Sequence, residues 1–201
     1  MTRADTDLAL DLESLRRAVE GGRSFRYRHF WGHRPRSDGQ LSDSVFSQWW
    51  PSRFEEDGLT FASAEMYMMA GKARLFGDDQ MLAQILAADD PANCKALGRR
   101  VRGFDDARWK DARFDLVTRG NAAKFGQDDA LRDYLLATGD DILVEASPRD
   151  RIWGIGLGRN NERAHDPRTW RGRNLLGFAL VRARAILRGD LALPPSPLPG
   201  T

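Results

Sequence analysis

The chain is poor in cysteine, histidine and lysine, and each scarcity closes off a class of chemistry. Cys94 is the only cysteine among 201 residues, which excludes an intrachain disulfide, a multi-cysteine zinc site and a redox pair. The three histidines, His29, His33 and His165, fall in loop-like sequence. No two of them stand at metal-ligand spacing with a third donor, so no metal site is expected. No stretch approaches the roughly 20 apolar residues of a membrane span, and the first fifteen residues lack the apolar core of a secretory signal. A cytoplasmic protein without membrane association is expected. A dominant charge is missing too. Lys plus Arg number 31 against 29 Asp plus Glu, a net charge of +2. That balance gives no general pull towards nucleic acid or membrane, although it leaves room for a local basic groove. Only Lys72, Lys95, Lys110 and Lys124 are lysines. A lysine in a special setting is therefore informative, since lysine, unlike arginine, can lose its proton and form a Schiff base.

What is present describes a folded helical domain. Hydrophobic residues make up 41% and charged residues 30% of the chain, and its length suffices to bury a core without disulfides or metals. Leu8, Leu12, Leu15 and Val19 recur at helical spacing until Gly21-Gly22, giving an amphipathic helix in an N-terminal arm over residues 1–24. Residues 32–44 read as a loop, and Asp57-Gly58 as a turn between extended pieces at 52–55 and 59–61. Helices follow. One covers 64–76 behind Ser63 as N-cap, and one runs from Asp78 or Asp79 through Ala88. A third begins at Asp90-Pro91, and two more cover 105–121 and 127–137. Residues 142–145 are a short strand, 154–173 a long irregular loop, and 174–187 an apolar closing helix. The proline-rich tail, 190–201, cannot continue a helix and is expected to be mobile. The expected fold class is mainly α, a single compact helical domain over 25–189 with a few short strands.

Four constellations can carry chemistry. Glu65 and Lys72 stand seven residues apart, which puts them on one helix face with Met69 and Phe76, offset by ~10 Å. Burial there would shift both pKa values. Spacing alone favours the plainer reading, an early-helix acid and a snorkelling lysine. The run from Leu143 through Glu145 and Asp150 to Trp153-Gly154-Ile155-Gly156 leads a strand into a turn with acids, an aromatic ring and glycines that permit close backbone approach. It can equally be a turn over a core tryptophan. Gly154-x-Gly156-x-Gly158 is not a dinucleotide fingerprint, because no apolar helix follows it. Gly98-Arg99-Arg100-Val101-Arg102 can hold a phosphate or simply end a helix. Trp109 and Arg113 share a helix face, and Lys124-Phe125 follows the expected end of that helix.

Taken in order, these blocks are specific. Trp49-Trp50-Pro51-Ser52-Arg53-Phe54, Asp57-Gly58 and the run from Phe61 to Ala73 through Glu65 and Lys72 resemble the NADAR family, which includes the N-glycosidase of riboflavin-biosynthesis intermediates. The likeness continues through Ala96-Leu97-Gly98-Arg99, Trp109, Lys124-Phe125, Leu135 to Asp140 and Leu143-Val144-Glu145-Ala146. It closes with Asp150, Trp153 to Gly156, and Trp170-x-Gly172-x-Asn174-Leu175-Leu176-Gly177. It covers roughly residues 30–188. One departure stands out: many relatives carry Glu-His where this chain has Glu65-Met66, so any role of that histidine is absent here.

The resemblance implies a mostly helical domain with a few short strands. It also implies cleavage of the bond between a nitrogen base or amine and a ribose phosphate. The substrate would be a riboflavin-pathway intermediate, or ADP-ribose on a base such as guanine, including ADP-ribosylated nucleic acid. The implied site is Glu65 as the carboxylate that stabilises the sugar cation, Asp150 orienting the ribose and Lys72 as cation or covalent amine. Gly98, Arg99, Trp109, Lys124, Glu145, Trp153, Gly154 and Asn174 would bind the ligand. No metal or redox cofactor is needed; the N-terminal helix can pack on the domain or on a protein partner, whose identity the sequence leaves open. The alternative is a non-catalytic ADP-ribose or nucleotide-binding module.

Overall fold

A computed structural model describes residues 11–199. In chain order its elements are α1 (Leu12–Glu20), β1 (Tyr27–Phe30), β2 (Phe54–Glu56), β3 (Leu59–Phe61), α2 (Ala64–Leu75), α3 (Asp79–Leu86), α4 (Pro91–Gly98), α5 (Asp106–Gly126), α6 (Asp129–Leu136), β4 (Ile142–Glu145) and α7 (Leu175–Arg188). The fold is mainly α with short strands, as the sequence leads one to expect. Contacts divide the chain into two units. The first holds residues 11–31 together with Gly139–Arg182, the second Gly32–Thr138 and residues 183–199.

The first unit is built on a parallel pair, β1 with β4, in which Tyr27 faces Ile142 and Phe30 faces Glu145. Ile142, Leu143 and Val144 are all buried, the near-continuous apolar run that a covered parallel strand needs. β1 is a strand the sequence reading did not anticipate. Gly177 lies against the carbonyl of Leu143 and the side chain of Asn174, so closely that a methyl group there would collide with both. α1 starts at a capping box: Asp11 accepts from the Ser14 amide at 2.8 Å, and Ser14 Oγ accepts from the Asp11 amide at 3.3 Å. The helix is held on the unit by the fully buried Leu15 and by Arg16, which donates to the carbonyls of Pro167 and Trp170. The expected helix began at residue 7; positions 7–10 lie outside the described residues.

The second unit centres on α2, which packs against α3, α4 and α5. Met66, Tyr67, Met68, Met69 and Ala70 are all buried, so this helix is covered on all sides rather than amphipathic. Close approach depends on small residues. A side chain at Gly71 would strike Leu116, one at Gly98 would strike Met69, and one at Gly120 would strike Tyr67. The helix starts follow the expected chemistry: Ser63, Asp78, Asp90, Asp105 and Asp128 each accept a first-turn amide. β2 and β3 form a hairpin whose turn residues, Asp57 and Gly58, have φ of 51° and 73°, the left-handed pair that such a two-residue turn requires. α5 runs past its expected stop at Asn121 to Gly126.

The proline-rich tail, expected to be mobile, is anchored within this unit. Leu198 is buried, and Arg119 donates to the Pro194 carbonyl at 2.9 Å. Pro197 and Pro199 line a cavity of about 370 Å³ with Leu75 and Arg108. Ending the chain after Leu193 is therefore expected to lower stability by at most about 3 kcal/mol, the worth of burying one leucine before the entropy of ordering the tail offsets it. An unchanged urea midpoint in the shortened protein would mean that the tail contributes nothing. No helix among the described residues is long and apolar enough to cross a membrane.

Candidate active site

In the second unit, Glu65 occupies the first turn of α2, where the helix dipole favours a carboxylate. It is 3% exposed, and its amide donates to the Gln48 carbonyl at 2.9 Å. Its charge reaches Cys94: burial first, then Glu65 and Asp90, push that thiol up to about 11. Two turns on, Lys72 is half-buried and its Nζ donates to the Gly98 carbonyl at 2.8 Å. The ammonium lies 4.2 Å from the Phe104 ring centre and 5.9 Å from that of Trp109. Burial pulls its pKa below the ordinary lysine value, whereas the carbonyl and the ring faces favour the cation. Three residues singled out from the sequence, Lys72, Gly98 and Trp109, thus meet. Arg99 is next to Gly98 and exposed. Of the same arginine run, Arg102 is committed to Asp78, donating to both carboxylate oxygens and holding that carboxyl well below the usual range.

Lys124 lies fully buried at the far end of α5 and donates to the carbonyls of Val45 (2.6 Å) and Ser47 (2.9 Å). Burial pulls its pKa down to about 7. One turn earlier, Asn121 accepts from Gln48 Nε2 at 3.3 Å and donates to the Val117 carbonyl at 2.8 Å. α5 therefore grips residues 45–48, and Gln48 in turn receives the amide of Glu65. Sequence reasoning missed Gln48 and Asn121. The available signal for Gln48 was an amide set among Val45, Phe46, Trp49 and Trp50.

In the first unit, Asn174 is fully buried with φ of 53°, a conformation that asparagine tolerates better than most residues. Its Oδ1 accepts from the Glu145 amide and its Nδ2 donates to the Leu143 carbonyl, both at 2.9 Å, which fixes the end of β4. Asp150 Oδ1 accepts the amides of Ile152 and Trp153 at 2.8 Å, closing the turn that follows. Gly154 sits so close to the Glu145 carbonyl that a side chain would be blocked. The structure thus groups Glu145, Asp150, Trp153, Gly154 and Asn174 around one strand end. Beside it, His29 meets the Ala164 carbonyl at 3.0 Å and the His165 ring at 4.8 Å, and burial lowers its pKa.

A model of the NADAR domain matches residues 29–188. The chain belongs to the NADAR family. Among NADAR relatives it is 46% identical over 150 residues to N-glycosidase R617 of Acanthamoeba polyphaga mimivirus, covering 72% of this chain and 88% of that protein. It is 38% identical over 156 residues to Protein irg-1 of Caenorhabditis elegans, covering 70% and 74% respectively. It is 30% identical over 135 residues to the Escherichia coli N-glycosidase YbiA, covering 67% and 74%. The NMR structure of E. coli YbiA superposes with a TM-score of 0.65 at 24% identity over 84% of this chain and 88% of that one, a likeness of fold.

Proposed function

We infer that the chain is an N-glycosidase that hydrolyses the bond between a nitrogen base or amine and a ribose phosphate. The observation that carries this reading is the buried Glu65 carboxylate at the start of α2, sharing a helix with a half-buried Lys72 amine. The resemblance to NADAR proteins named N-glycosidases supports it. As the C1′–N bond breaks, positive charge grows on the sugar. A carboxylate held in a water-poor setting stabilises that charge strongly and can take a proton from the incoming water. The departing nitrogen gains electrons and needs a proton or a nearby cation. Lys72, kept cationic by the Gly98 carbonyl and two ring faces, is the group we assign to this task, and exposed Arg99 is assigned to phosphate.

Two substrates share this chemistry, a ribosylamino-pyrimidine phosphate of riboflavin synthesis and ADP-ribose joined to a base such as guanine. Incubating the protein with each and following the released base by chromatography tests the reading. Release from neither would defeat it, leaving a module that binds ADP-ribose without cleaving it. Lys72 acts here as a charge and not as a nucleophile, so Lys72→Arg is expected to keep at least about a tenth of wild-type turnover. A sugar adduct trapped on the wild-type lysine by borohydride, with no turnover in Lys72→Arg, would establish a Schiff-base route instead.

A further inference from the structure

A departing base needs a surface as well as a proton, and Lys72 supplies only the second. Phe104 stands next to it. Its ring centre is 4.2 Å from the Lys72 ammonium, yet the side chain is 45% exposed. A single exposed phenylalanine is ordinary on a protein surface, but this one is held in place from both sides. Arg102, two residues before, donates to the buried Asp78 carboxylate from its amide at 2.9 Å and from its guanidinium at 2.7 Å. Asp105, directly after, caps α5 by accepting the Arg108 amide at 2.7 Å. Between them Gly103 has φ of 67°, a left-handed conformation that favours glycine and turns the chain sharply. Phe76 meets the Phe104 ring at a steep angle, with centres 5.4 Å apart. The ammonium covers one face of the ring, and nearly half of the side chain stays open to solvent.

We propose that Phe104 is the platform on which the departing base stacks, so that the site takes substrates whose leaving group is a flat aromatic heterocycle and not an aliphatic amine. A ring this close to the ammonium assigned to the leaving nitrogen is within stacking reach of the heterocycle that carries that nitrogen. A cation on one face draws the ring's electrons towards it, which favours an electron-rich partner elsewhere on the ring. As the C1′–N bond breaks the base gains electrons, so the contact strengthens towards the transition state. The anchors on either side mean that little freedom is lost when the base arrives. Trp109, the other ring near Lys72, is only 9% exposed and offers no comparable surface. The part that Phe104 takes in base release rests on the N-glycosidase reading; the stacking itself does not.

Calorimetric titration with cytidine 5′-monophosphate and with ribose 5-phosphate tests the platform without turnover. The two probes share the sugar phosphate and differ by the base. The nucleotide is expected to bind about ten-fold more tightly than the sugar phosphate. Phe104→Tyr should keep that difference. Phe104→Leu should reduce it to under about three-fold and leave the affinity for ribose 5-phosphate as in the wild type. Leucine supplies apolar bulk without an aromatic face, so it would serve equally well if Phe104 only shielded Lys72. All three proteins should melt together, because the side chain is exposed. The proposal is overturned if the two probes bind alike in the wild type, if neither binds at about 10 mM, or if Phe104→Leu keeps the difference. Base release by the wild type with no binding difference would leave the N-glycosidase reading standing without the platform. The difference without base release would leave the platform and remove that reading.

Discussion

Glu65→Gln is expected to keep the fold and the substrate affinity and to lower kcat by about two to three orders of magnitude. The side chain is 3% exposed in a helix covered on all sides, so the replacement must match it in shape, and glutamine does. What disappears is the negative charge. A carboxylate near the anomeric carbon interacts weakly with neutral ground-state sugar and strongly with the cationic transition state, so its removal should appear in kcat and leave KM nearly unchanged. The Glu65 amide, which docks on the Gln48 carbonyl, is untouched by the substitution. Melting temperature and ligand affinity within error of wild type, with turnover collapsed, would fit the assignment. Turnover above about a third of wild type would move the sugar-stabilising role away from Glu65.

Lys124→Met is expected to have the largest effect on stability. Two carbonyls, those of Val45 and Ser47, receive hydrogen bonds from this one buried amine. Methionine fills most of the space but leaves both acceptors without their donor, at a cost of about 1–3 kcal/mol each before relaxation. Removing a buried charge offsets part of that, so a net loss of about 2–4 kcal/mol is expected. The pH dependence gives a sharper signature. In the folded protein burial brings Lys124 to about 7 from an ordinary 10.5. Below pH 7 both states carry the proton and the cost of burying charge is full. Between pH 7 and 10.5 the unfolded chain binds more protons than the folded one, so the lysine's contribution to stability rises with pH. A neutral amine still has two hydrogens for the two carbonyls. Lys72, also shifted down by burial, has the same sign, so the difference between wild type and Lys124→Met isolates Lys124. Urea midpoints at about pH 6.5, 8 and 9.5 should therefore diverge as pH rises. Parallel curves would show that Lys124 keeps its proton throughout.

The starts of α2, α3 and α4 were legible because they are local. Ser63, Asp78 and Asp90 each act on an amide three residues away, and the Asp57-Gly58 turn follows from two residues; the start of α6 was expected at Gln127 and lies at Asp129, behind Asp128 as its cap. β1 was not legible, since Tyr-Arg-His-Phe has no apolar alternation and its partner strand lies more than a hundred residues away. The end of α5 was misplaced for a related reason. Asn121 and Lys124 look like helix-ending polar residues, but they turn inward and meet Gln48, Val45 and Ser47, partners that local sequence does not reveal. For the candidate site, the shared face of Glu65 and Lys72 followed from helical period. The meeting of Lys72 with the Gly98 carbonyl depends on how α2 and α4 pack, which Gly98 permits by having no side chain to strike Met69.

The pairing of β1 with β4 also sets an order of events during synthesis. Arg26 and Asp141, which join the two strands at one end, are 115 residues apart, so β1 leaves the ribosome long before its partner exists. Closing so long a loop is slow, and a bare strand edge invites other chains in the meantime. Arg28 and His29 in β1 suit that wait. A charged and a polar residue in place of valine or isoleucine make the nascent strand a poor template for aggregation. The same residues that hide β1 from a pattern search thus act as gatekeepers until Ile142–Glu145 arrives.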